Sequence, residues 1–486
     1  MLLSELEPLT CILKTLIPEE EPSYVNDNHN DNDNYKNEIE MVETCLQLIY
    51  DYVNSNPTSI SEPDFEDDML IDIKELFTIH FEGDTLFNED AEDEIDNIID
   101  VAASIFYDNF MPRRSQKSVC PNKRSIKEIK YLEKQIKELS EIEQPEQRTP
   151  EWYKFRHNLI TASNAYKAFE GQSSQNQLIY EKCEQQEIDK DNIQKHQVNT
   201  NSTLHWGQKY EPISVMIYED KYKTKVGEFG CIQHSQYSFL GASPDGINID
   251  KENGRYGRML EIKNIVNREI NGIPKKEYWI QMQLQMETCD LNECDFLETK
   301  FVEYSSWNEF EEDIDEDEYE YGNNITISND GCQKGVIIHF NKKDGNPFYV
   351  YKPLNIICPD EIEEWEQKMI EDYESMQHGY TFMRFIYWKL EECSCVLVLR
   401  NKKWFQDNIE QLKNIWSIIE EERKTGHSHR APNRRVKKEI DGESSQLNSG
   451  TQLNSGCLIN LKNKSNININ VIKIRTESFD ETKANM

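Results

Sequence analysis

Apolar residues fall into two kinds of spacing along this chain. From Glu38 to Val53 they recur at Ile39, Val42, Leu46, Ile49 and Val53, which is helical spacing. A second stripe, Ile95, Ile98, Ile99, Ala102 and Phe106, predicts a helix over Asp93–Phe110, and an acidic stretch separates the two. Ile126, Ile129, Leu132, Ile136 and Leu139 form a third. Further on, Ile213, Met216, Ile217 and Tyr218 supply the buried side of a helix opening at Gly207–Glu211. Lys276–Thr288 and Asp360–Gln377 also read as helices. The aromatic-rich segment 381–424, with Trp388, Trp404 and Trp416, reads as helical. The strand pattern appears in Thr224–Ser235, Tyr237–Ala242, Met259–Lys263 and Asp295–Val302, and in the closing runs VIIHFN and FYVYKPLNI.

Between these elements lie segments with little apolar content. The polar run at 26–35 reads as a loop, and 173–201 as an insertion. Asn308–Asn323 is an acidic exposed loop or insertion. Met111–Ser125 is a basic linker, open to three readings: a DNA contact, an import signal or a solvated spacer. The tail from 425 carries a basic run, Arg430–Lys438, and a doubled QLNSG, and its composition predicts disorder. The domain reading is therefore an acidic helical region (1–110), a basic linker and helix (111–145), a main domain (146–380), a helical extension (381–424) and a tail (425–486).

Within the main domain one ribbon gathers chemistry. Asp245 sits in a Ser-Pro-Asp-Gly turn, and Asn253-Gly254 marks a second turn. In Met259–Lys263 the alternation puts Glu261 and Lys263 on one face and Leu260 and Ile262 on the other. Carboxylates on a sheet edge can hold a hard divalent ion, and an ammonium beside them can support an attacking water. Taken singly, each of these residues has a plain structural role as a turn or solvated cross-strand residue.

The pattern Asp-(hairpin)-Glu-x-Lys resembles the PD-(D/E)XK nuclease core. The flanking blocks, from about Thr149 to Glu303, resemble the YqaJ branch of viral recombinases related to phage lambda exonuclease. The blocks are QRTPEWYKFRHNLITASNAYKAF, HWGQKYEPISVMIYEDKYK, the ribbon, and EYWIQMQLQMETCDLNECDFLETKFVEY. The fold the resemblance implies is α/β: a restriction-endonuclease-like core whose central mixed sheet is flanked by helices, with helical additions at both ends.

The resemblance also implies roles. Asp245, Glu261, the Ile262 carbonyl and Glu211 would hold one or two Mg2+ ions, with Mn2+ able to substitute. Lys263 and Gln281 would position the attacking water, with Gln285, one turn on, as the other choice for the amide. Arg156, Ser163 and Ser243 would bind a DNA 5′-phosphate, for which a guanidinium fork and a hydroxyl before a helix are suited. The implied activity is a Mg-dependent 5′-to-3′ exonuclease on double-stranded DNA, serving viral recombination or repair. Two alternatives stay open: a structure-specific endonuclease or resolvase with the same metal site, and a non-catalytic DNA-associated or virion protein on this scaffold. Partners implied by the resemblance are double-stranded DNA, a single-strand annealing or recombinase protein, and copies of the chain itself in a trimer.

Composition bounds these readings. The 486 residues suffice for two or three domains. Lys+Arg number 54 against 90 Asp+Glu, a net −36, which excludes a protein that coats DNA indiscriminately. A DNA enzyme with this balance must confine positive charge to a groove. No apolar run approaches a membrane span, and the N-terminus lacks the basic head of a signal peptide. The 12 cysteines include no Cys-x-x-Cys pair, which predicts reduced thiols in a reducing intracellular compartment and gives no support to an iron–sulfur cluster. An Asn-, Ile-, Lys- and Glu-rich usage suggests an AT-rich genome.

Overall fold

The computed structural model describes residues 29–55, 59, 62–81, 89–110, 124–147, 149–184, 198–315, 319, 323–375 and 379–431. All lie in the first of two compact units, Met1–Pro432; the second, Asn433–Met486, falls outside them, as does the linker 111–123.

Three helices come first: α1 (His29–Ser55), α2 (Phe65–Phe81) and α3 (Glu89–Asn109). The predicted stripes are their contact faces. Leu46, Ile49 and Val53 meet Met69, Ile73 and Phe77 and then Ile95, Ile99 and Phe106 in a separate core. Two expectations change here. The helix α1 extends into the polar run at 26–35, and the acidic stretch between the stripes is itself helical because Phe65, Met69, Ile73 and Phe77 repeat every four residues. Helix α4 (Ile126–Ser140) follows, capped by Ser125, whose hydroxyl accepts from the Glu128 N–H.

The main domain begins with α5 (Pro150–His157), strand β1 (Ile160–Thr161) and a one-turn helix, Ala162–Ala165. Helix α6 (Gln172–Cys183) occupies the first part of the segment expected as an insertion. It is ordered because Leu178, Ile179 and Cys183 are buried in the main core; residues 185–197 lie outside the described set. Helix α7 (Thr203–Tyr222) is followed by the short strands β2 (Val226–Gly227), β3 (Ile232–Gln233), β4 (Leu240–Ala242) and β5 (Gly246–Asn248). The single strand expected over Thr224–Ser235 is thus two, in different sheets. Then come β6 (Met259–Ile265), α8 (Lys276–Cys289), β7 (Glu293–Glu303) and α9 (Trp307–Glu312). The chain closes with β8 (Lys334–Asn341), β9 (Pro347–Tyr351), α10 (Pro359–Glu374), β10 (Thr381–Leu399) and α11 (Lys402–Thr425).

Seven strands form a mixed sheet in the order β2-β5-β6-β7-β10-β8-β9, and β1-β4-β3 form a smaller one. Strands β6 and β7 are parallel, joined through α8, as a parallel pair requires. Strand β10 corrects the sequence reading: 381–399, expected as helix, is a nineteen-residue strand. Its first half pairs with β8 and its second with β7, and register shifts at Phe382/Arg384 and Leu390/Glu392 break the two-residue period. The helical reading of 402–424 is correct, for α11 buries Phe405, Ile409, Leu412, Ile415 and Ile419.

The ribbon between β5 and β6 is held from behind. Arg255 and Arg258, on its loop, both pair with the buried Asp295 of β7, which also accepts from Tyr218 Oη at 2.6 Å. Arg258 pairs with Glu293 as well, at 3.0 Å.

Candidate active site

Strand β6 does not present Glu261 to solvent. The residue is 1% exposed, between the ribbon and α8. A buried carboxylate needs donors, and α8 supplies them from one face, four residues apart. Gln281 Nε2 donates to Glu261 Oε1 at 2.7 Å, and Gln285 Nε2 donates to Oε2 at 2.6 Å. Both glutamines thus bind Glu261, and of the two Gln281 also stands near Lys263. Lys263 Nζ also bonds Glu261 Oε1, stands 3.4 Å from Gln281 Oε1, and lies 4.8 Å above the Tyr278 ring.

Asp245 enters from the turn after β4. Its Oδ2 accepts the Ile262 N–H at 2.7 Å, so the turn is pinned to β6 beside Glu261. Burial, and then the like charges of Glu261 and Glu211, push the Asp245 carboxyl well above the usual carboxylate range, against the pull of Lys263 and the Ile262 N–H. Burial alone would depress Lys263, but the charges of Glu261 and Asp245 outweigh it and hold the ammonium protonated. Glu211 reaches the same space from α7, whose N-terminus is capped by Ser202.

The residues expected as phosphate contacts line the same cavity. Arg156 Nη1 donates to Ser243 Oγ at 2.8 Å, and its guanidinium lies 4.6 Å from the Trp152 ring centre. Ser163, in the one-turn helix after β1, has its hydroxyl 3.3 Å from that of Thr161. Arg156, Ser163, Glu211, Ser243, Asp245, Glu261, Ile262, Lys263 and Gln281 all line one cavity of about 560 Å³. Four separated sequence blocks thus converge on a single space.

As the side chains stand, no three His, Cys, Asp or Glu among the described residues form a shell that could hold a metal ion. The expected metal set is adjacent but not assembled, because both Glu261 oxygens are engaged by amide and ammonium donors. The chemistry of the donors nevertheless suits a hard divalent cation. Three carboxylates and one ammonium line the cavity, the repulsion of Glu261 and Glu211 adds to burial in raising Asp245, and the buried Gln285 Oε1 has no hydrogen-bond partner among the described residues.

Among the lining residues that escaped the sequence reading, Tyr278 and Asn264 make contacts that shape the site. Tyr278 faces the Lys263 ammonium from fifteen residues away, a cation–π pairing that no periodicity announces. Asn264 accepts from Ser214 and Thr299, each at 2.7 Å, and donates to the Gly207 carbonyl at 2.9 Å, tying β6 to the helix that bears Glu211. Its place directly after Lys263 was the only available signal.

Residues 151–292 match the YqaJ-like viral recombinase domain. An uncharacterized protein, R354, of Acanthamoeba polyphaga mimivirus is 30% identical over 329 residues, 61% of this chain and 57% of that protein. The chain thus spans a little over half the length of this relative. Among solved structures, an alkaline exonuclease from Laribacter hongkongensis is similar over 57% of this chain and 95% of its own, at 17% identity and a TM-score of 0.30. The same enzyme in complex with dAMP matches at 18% identity and the same TM-score of 0.30.

Proposed function

We propose, from the match of residues 151–292 to the YqaJ-like viral recombinase domain, that the chain is a metal-dependent deoxyribonuclease, an exonuclease that digests one strand of linear duplex DNA from its 5′ end. The observation that supports this reading is that Asp245, Glu261, Lys263, Glu211 and Gln281 line the same cavity as Arg156, Ser163 and Ser243. Its role is in viral recombination or repair, with a single-strand annealing or recombinase protein as partner and a homotrimer as the working form.

Asp245, Glu261, the Ile262 carbonyl and Glu211 would hold one or two divalent ions, Mg2+ by preference and Mn2+ in its place. When bound, the ion supplies polarisation of the scissile phosphate and stabilisation of the leaving oxygen. The remaining work falls to the protein. Lys263, kept protonated by its acidic neighbours, orients the attacking water and offsets charge growing on the phosphoryl oxygens. Gln281, bridging Lys263 and Glu261, fixes where that water stands. Tyr278 covers the far side of the ammonium and keeps bulk water from it. Arg156 and Ser243 offer a fork of donors to a terminal phosphate, which places the first phosphodiester at the carboxylates.

The test is digestion of a 5′-phosphorylated linear duplex with and without Mg2+, beside nicked, circular and branched DNA. Metal-dependent loss of the linear substrate alone is expected, and Glu261→Ala should leave only a trace of it. Digestion by Glu261→Ala at the wild-type rate refutes the reading, and cleavage confined to branched DNA replaces it with a structure-specific endonuclease.

A further inference from the structure

The grip on a terminal phosphate is braced by an element far beyond residues 151–292. We propose that Arg423, in the last turn of α11, and Lys182, on α6, are positioning residues for Arg156. Through them the C-terminal helix sets how strongly the protein prefers a 5′-phosphorylated DNA end. This rests on the reading of Arg156 as the phosphate contact.

Helix α5, which bears Arg156, has only eight residues, too few to hold its own last turn in water. The carbonyls of that turn have few helical partners and must find others. Lys182 Nζ donates to the Arg156 carbonyl at 2.9 Å. Arg423 Nη2 donates to the His157 carbonyl, also at 2.9 Å. The same guanidinium reaches the Asn158 side chain at 3.1 Å and, through Nε, the Lys182 carbonyl at 2.8 Å. One arginine therefore clasps the C-termini of α5 and α6 together, where a helix favours positive charge.

Lys182 is buried and has no carboxylate bonded to it among the described residues, so its ammonium serves the carbonyl rather than an ion pair there. Burial, and then the nearby Arg156 charge, lower its pKa to about 8.

The clasp is anchored in turn. Gln411 of α11 donates to the Ala168 carbonyl at 2.7 Å, and Cys183 Sγ to the Ile419 carbonyl at 3.6 Å. At its other end, Arg156 is held against Trp152 and Ser243. The guanidinium can stay in register with Ser243 only while the last turn of α5 is formed. Loosening that turn moves the phosphate contact without touching the carboxylates or Lys263.

The experiment compares kcat/KM on two linear duplexes that differ only in a 5′-phosphate or 5′-hydroxyl, for the full chain and its variants. Wild type should favour the phosphorylated end, and Arg156→Ala should abolish that preference. Arg423→Ala and Lys182→Met should cut the preference about tenfold, through KM on the phosphorylated substrate, while the hydroxyl-ended duplex is digested as before. Arg423→Lys, which keeps one donor, should recover part of it. If Arg423→Ala lowers both substrates equally, its role is structural and the proposal is overturned, while loss of preference in Arg156→Ala keeps the phosphate reading intact. If wild type treats both ends alike, the reading and the proposal fall together. Should Arg423→Ala not fold, Arg423→Gln and Arg423→Lys carry the same comparison.

Discussion

Replacing Asp245 with asparagine should make the protein more stable and less active at once. The carboxyl is buried, faces the charges of Glu261 and Glu211, and gains relief only from Lys263 and the Ile262 N–H. An amide oxygen in its place still accepts that N–H, so the 2.7 Å bond survives while the repulsion goes. Removing one poorly compensated charge from a functional site stabilises a protein by about 1–2 kcal/mol. In EDTA the urea midpoint of Asp245→Asn should therefore exceed that of wild type. Mg2+ reverses the order. An ion bound only by the folded wild type, at a hundred times its dissociation constant, adds about 2.7 kcal/mol. The variant, lacking a ligand, gains little and becomes the less stable protein by about 1 kcal/mol, the difference of the two effects. Two urea titrations of each protein, with EDTA and with saturating Mg2+, read this crossing directly. Nuclease activity is lost under both conditions. If Asp245→Asn is less stable by the same amount in EDTA as in Mg2+, the carboxylate is a structural turn residue and the electrostatic reasoning fails.

Two further outcomes follow from buried charge elsewhere. Asp295→Asn leaves Arg255 and Arg258 without their shared carboxylate and should cost about 3–5 kcal/mol in urea unfolding; an unchanged midpoint would show that Glu293 alone suffices for both. Burial and the neighbouring Glu363 push the Glu366 carboxyl up to about 7, and its Oε1 has no hydrogen-bond partner among the described residues. A folded-state pKa above the unfolded value means that wild type loses stability as pH rises from about 4.5 to about 7. Glu366→Gln should match wild type near pH 4 and exceed it by about 1–2 kcal/mol at pH 8, once partial exposure is allowed for; a gap independent of pH contradicts this.

What was legible in the sequence was what is local or strictly periodic. Glu261 and Lys263 share a face because a strand alternates, and Leu46, Ile49 and Val53 share one because a helix turns every 3.6 residues. Strand β10 was illegible for the same reason. Its two register shifts each move the side chains to the other face, and its halves meet different neighbours, so no alternation survives across Trp388. The glutamine pair was half legible: the four-residue spacing put Gln281 and Gln285 on one face, but only coordinates show that Glu261 has an oxygen for each. Tyr278 and the clasp at Arg423 were hidden because their partners lie far away in the chain.

The boundary of the family match has a practical consequence. Residues 151–292 stop one residue short of β7, the strand that lies parallel to β6 and separates it from β10. A fragment cut there would keep Asp245, Glu211, Glu261 and Lys263, yet leave β6 with a bare flank of amides and carbonyls. It would also lack Asp295, the counter-ion that holds the ribbon loop. Such a truncation should come out of cells as insoluble material, and a minimal soluble version must run on through Thr425, because α11 fills part of the main core.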